Sequence, residues 1–65
     1  MPYLSGETPQ NGDAVKNRKG EVGTVTWVQL NYPSTPGHDA IAVKFDNGLA
    51  VGVAMADEYT LIKRK

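Results

Sequence analysis

Few side chains in this 65-residue chain could do chemistry, and their spacing limits what that chemistry could be. His38 is the single histidine and sits beside Asp39 in a Pro/Gly-bearing loop. The chain has no cysteine to serve as its nucleophile, and neither Ser5 nor Ser34 falls where a triad would need it. Asp57 and Glu58 resemble a carboxylate pair, but adjacent residues on a helical turn point in different directions. Acid/base work needs convergent groups with separated pKa values. Without cysteine, disulfides and thiolate metal sites are excluded, and one histidine is too few for a histidine-based zinc site. No glycine loop precedes a helix that could hold a phosphate. The expectation is a protein that is not an enzyme and uses no cofactor or metal.

What remains are groups suited to contact. Lys16, Arg18 and Lys19 form one basic cluster, and Lys63, Arg64 and Lys65 form another. Phosphate binding needs several cations acting together, so the first cluster is the candidate for nucleic-acid contact. Against it, seven Lys/Arg are balanced by seven Asp/Glu, and the formal net charge is zero. Trp27, in a long strand, and Tyr32, at its end, could form a stacking platform for a base or a proline, with His38 in the adjoining loop. Phe45 reads as core, and Tyr59 as the residue docking a helical turn.

These residues must be positioned by strands. Between Gly12 and Ile62, short β-branched runs alternate with glycine-bearing turns, and no stretch is long enough for more than one helical turn. The spacing predicts strands at residues 13–17, 22–32, 40–45, 49–54 and 60–62, with one helical turn over 55–58. Asn17 to Gly20 reads as a polar turn, and Asn47-Gly48 as a two-residue type I′ hairpin. The second strand has mixed phase: Val25 lies on one parity, Val28 and Leu30 on the other. A bulge at Thr26 and Trp27 would bring Val25, Val28 and Leu30 inward and displace Trp27 to the surface. In the third strand Ile41, Val43 and Phe45 face in. In the fourth, Leu49, Val51 and Val53 alternate with Ala50, Gly52 and Ala54. Ala50, Gly52 and Ala54, with Ala40 and Ala42, would then make a flat outer face of small residues suited to a subunit interface.

The whole reads as one all-β domain at residues 12–62, after a flexible lead-in (1–11) and before a basic tail (63–65). Tyr3 and Leu4 are the lead-in residues expected to dock. A chain this short buries only ~60% of the surface its unfolded form exposes. With disulfides and metals excluded, self-association is the remaining route to added stability. No run approaches the ~20 apolar residues of a membrane span. The opening residues lack an apolar run and a basic leader, so the expected location is the cytoplasm, with no membrane partner.

Four segments together resemble the SH3-like small barrels: Gly12-Asp13-Ala14-Val15, Gly20 with Gly23-Thr24-Val25, Val43 to Gly48, and Ala56 to Ile62. The Gly23-Thr24-Val25 portion is similar to a KOW-type glycine–strand signal. The resemblance implies a five-stranded antiparallel barrel with one helical turn before the last strand. Such barrels include RNA binders, peptide binders, small subunits of photosynthetic complexes and the tetrameric plasmid-type dihydrofolate reductases. In those reductases a Val-Gln-Ile-Tyr segment after the central hairpin lines the active pore. Here that region reads Leu49-Ala50-Val51-Gly52-Val53-Ala54, so the activity does not carry over. The expected function is a binding or assembly module whose partner is a protein or a second copy, with KOW-like nucleic-acid binding as the alternative.

Overall fold

The computed structural model describes residues 2–64. Met1 lies outside the described residues, as does Lys65 of the expected basic tail. Five strands form one sheet: β1 (Ala14–Lys16), β2 (Val22–Gln29), β3 (Ala40–Phe45), β4 (Ala50–Met55) and β5 (Thr60–Lys63). A 3-10 turn at Ala56–Glu58 precedes β5. The order across the sheet is β4-β3-β2-β1-β5, with every neighbouring pair antiparallel. The all-β class and the turn before the last strand agree with the sequence reading.

Local chemistry explains the connections. Asn17 Oδ1 accepts from the backbone N–H groups of Lys19 and Glu21, and Gly20 takes φ 86° to close that turn. The Asn47-Gly48 hairpin differs from the type I′ expectation. Gly48 alone has positive φ, at 92°; Gly48 N–H donates to Phe45 O, and Phe45 N–H to Leu49 O. This is a three-residue loop, a turn followed by a left-handed glycine, which Asn47 supports by accepting from Leu49 N–H through its side chain.

The sheet packs one face on a single core of Val15, Val25, Ile41, Val43, Phe45, Ala56, Tyr59 and Tyr3. Phe45 in β3 stacks on Tyr59 beyond the 3-10 turn, with ring centroids 6.5 Å apart. The sheet therefore curves enough to bring together segments far apart in strand order. The bulge at Thr26 is present: Val25 pairs with Val43 and Trp27 with Ala42, so Thr26 is the extra residue. Val28 packs partly on the core, but Leu30 does not and is 52% exposed. The strand ends at Gln29, and Asn31 takes φ 55°, turning the chain away before Leu30 can reach inward.

A second bulge was not legible from alternation. Ile41 pairs with Ala54 and Val43 with Val51, so β4 also carries one extra residue opposite Ala42. The phase flip puts Val51 and Ala54 on the core, while Val53 is 49% and Leu49 65% exposed. The expected small-residue face is corrected at two positions. Ala54 packs against the core, and Ala40 is fully buried between Gln29 and Met55, where Ala56 N–H donates to Asp39 O. Ala42 is half-buried, and Ala50 and Gly52 are exposed.

The lead-in is built into the fold. Tyr3 is buried in the core, whereas the Leu4 side chain, expected to dock with it, is 55% exposed. Tyr3 Oη donates to Asp13 Oδ2 at 2.7 Å, and Gln10 N–H donates to the same oxygen at 2.9 Å. Arg64 closes the ring: Nε lies 3.1 Å from Asp13 Oδ1, and Nη2 lies 3.2 Å from Oδ2 and 2.7 Å from Thr8 O. Asp13 has no exposed surface, so this network satisfies a charge that burial alone would penalise. Burial pushes its carboxyl upward, but bonds from Arg64, Tyr3 and Gln10 outweigh this and hold it below the usual carboxylate range. Burial, with the neighbouring carboxylate, raises the Tyr3 phenol well above its ordinary value.

Two stability predictions follow from these contacts. A Cβ on Gly23 would meet Val43 Cγ1 at 2.6 Å and Lys44 O at 2.8 Å, so Gly23→Ala should cost about 1–3 kcal/mol in urea unfolding. Asp13→Ala strands the Tyr3 hydroxyl and Gln10 N–H, and should cost on the order of 3 kcal/mol. The folded Asp13 pKa is depressed, so its contribution is present above the unfolded carboxylate value of about 4 and is lost as pH falls through the lower folded value. The folded Tyr3 pKa is raised, so its contribution is present below about 10 and is lost as pH climbs toward the higher folded value. Wild-type stability should fall at both extremes, and Asp13→Ala should flatten the acid limb.

Candidate interaction surface

The bulges in β2 and β4 both lie opposite Ala42, and together they decide what the outer face of the sheet presents. Trp27 and Ala42 are direct cross-strand partners. Val53, the neighbour of inward-packed Ala54, turns to the outer side by strand alternation. A row Trp27–Ala42–Val53 therefore crosses three strands, with the indole 38% exposed, Ala42 half-buried and Gly52 open beside them. Small Ala42 and Gly52 between the indole and the valine make a shallow apolar step. No charged side chain lies within it: residues 48–56 carry none, and Lys44, paired with Ala50, stands at the border.

Tyr32 supports the indole from the side. The rings meet edge to face with centroids 6.5 Å apart and planes at 89°, a favourable quadrupole geometry. The loop is held around Tyr32 by its own backbone. Tyr32 N–H donates to His38 O, Thr35 N–H to Tyr32 O, and His38 N–H to Thr35 O. The left-handed Asn31 donates its N–H to Asp39 Oδ1. His38 Nδ1 lies 3.4 Å from Asp57 Oδ2, facing the 3-10 turn rather than the aromatic pair. The structure thus joins Trp27 and Tyr32 and directs His38 elsewhere.

The basic residues separate in the same way. Arg18 and Lys19 line an open cleft of about 260 Å³ with Asn17, Tyr59, Glu21 and Glu58. Two carboxylates beside two cations leave little net positive field for a phosphate. Lys16 is exposed on β1 and is not part of that lining. Burial raises the Tyr59 phenol, reinforced by Glu58 and Glu21. Asp57 and Glu58 diverge as expected, one toward His38 and the other into the cleft.

The sheet edges differ. β4 is hydrogen-bonded to β3 and to no other strand among the described residues. The β5 edge is met by the lead-in: Leu4 N–H donates to Tyr59 O at 2.8 Å, and Leu61 N–H donates to Ser5 Oγ at 3.1 Å. Sequence reasoning missed Val53 because no residue type marks the β4 bulge apart from Gly52. It also passed over Asp13, although Asp13 shares its parity with inward Val15.

Removing the ring that packs on the indole should read out directly. Tyr32→Ala is expected to shift Trp27 emission to longer wavelength and to cost about 0.5–1.5 kcal/mol. An unchanged spectrum would mean that the two rings are not in contact in solution. No protein-family model matches the chain, and neither a curated protein nor a solved structure matches it.

Proposed function

We propose that this protein is a non-enzymatic assembly module whose sheet curls into an SH3-like barrel and which pairs with a second copy of itself across β4. The carrying observation is the uncharged apolar row Trp27–Ala42–Val53 running onto a strand edge that pairs with no other strand among the described residues. Such an edge presents free N–H and C=O groups, and a second β4 laid antiparallel satisfies them. A two-fold axis near Gly52 would lay residues 50–54 of each copy, uncharged throughout, against the same residues of the other, an isologous contact. Charge favours the same occupant. Two uncharged strands meet without like-charge repulsion, and a charged partner would find no counter-charge there.

The core supplies the motive for pairing. Leu49 and Val53, both large and apolar, stay more than 45% exposed in the single chain. The KOW-like alternative has less in its favour, because Glu21 and Glu58 share the cleft with Arg18 and Lys19.

Sedimentation equilibrium from micromolar to sub-millimolar concentration should give the mass of a dimer. Val53→Lys, at an exposed position, should raise the dissociation constant by more than about tenfold while leaving the far-UV spectrum unchanged. A wild-type mass that stays monomeric throughout this range would overturn the proposal.

A further inference from the structure

An antiparallel sheet has two edges, and a chain with both open would polymerise rather than pair. Heterologous β4-to-β5 contacts run on as an open filament unless their rotation closes a ring. Here the β5 side carries the apolar Ile62, 51% exposed, beside the charged Lys63. It is occupied by the chain's own residues 3–8. Leu4 N–H and Ser5 Oγ bond to Tyr59 O and Leu61 N–H, two outward backbone groups where that edge begins. Ser5 also holds the nearby Glu7 carboxyl below its ordinary range. Farther along, Arg64 grips Thr8 O and Asp13 together, and Tyr3 anchors the segment in the core.

We propose that residues 3–8 are a strap that caps the β5 edge and so limits assembly to a closed pair. Ser5 and Arg64 are its fasteners. With the strap released, the bare β5 edge accepts β4 of another copy, and assembly becomes open-ended. The limit to a pair rests on the self-pairing reading above; the cap itself does not.

The test uses the full-length chain with Ser5→Ala/Arg64→Ala and, as a milder second variant, Ser5→Ala/Arg64→Lys. The second keeps the positive charge near Asp13 should the first fail to fold. Amide exchange at Leu4, whose N–H bonds Tyr59 O and loses no partner to either substitution, reports the strap, and sedimentation reports the mass. Leu4 should exchange roughly tenfold faster or more, and the mass should grow past a dimer with concentration. Adding Val53→Lys should reverse that growth.

A wild-type monomer whose strap variants associate through β4 would remove the self-pairing and leave the cap standing. Fast exchange at Leu4 with the mass of a wild-type dimer would overturn the cap and leave the self-pairing intact. Unchanged exchange at Leu4 would overturn Ser5 and Arg64 as fasteners, and growth unaffected by Val53→Lys would overturn β4 as the strand that β5 accepts.

Discussion

Everything this sheet buries or exposes turns on two extra residues opposite Ala42. Strand alternation has period two, so one inserted residue sends every later side chain to the other face. In β2 the insertion at Thr26 lets Val25 and Val28 both face the core and sends Trp27 outward. In β4 the insertion near Gly52 does the same for Val51 and Ala54, and sends Val53 outward. The bulges flank β3 on both sides, where they bend the sheet at one level. A sheet bent there can bring Phe45 against Tyr59 and enclose a core with very few residues. The same geometry opens the apolar row on the reverse side.

The second constraint is the buried charge of Asp13. A carboxylate with no solvent contact must be bonded from several directions, and its donors are neighbouring Gln10, Tyr3 earlier in the lead-in and distant Arg64. Satisfying it ties the lead-in to β1 and Arg64 to both. That bond set holds the segment bearing Leu4 and Ser5 along β5. The contact of the lead-in with β5 is thus a by-product of satisfying a buried charge next to that edge.

Much of the fold was legible because it rests on local rules. Gly20 and Gly48 fall where turns need positive φ, the strand signals mark all five strands within a few residues, and the mixed phase of Val25 and Val28 announced the first bulge. The second bulge had no such announcement. Leu49, Val51 and Val53 alternate in sequence as a regular strand would, and only pairing with β3 breaks that regularity. The small-residue face was drawn from that false regularity, which is why Ala40 and Ala54 had to leave it.

By itself the sequence determined the all-β class, the order of the elements, the Trp27 bulge and the poverty of catalytic groups. Those follow from residue type and near-neighbour spacing, which act before any long-range contact forms. Only the tertiary structure decided that Tyr3, Asp13 and Arg64 meet, that Val53 faces out beside Ala42, and that the lead-in bonds to one sheet edge while no described strand pairs with the other. Each of these joins residues far apart in the chain, or depends on how one strand is registered against another. Register is fixed by the packing of the whole core, and local propensity carries no record of it.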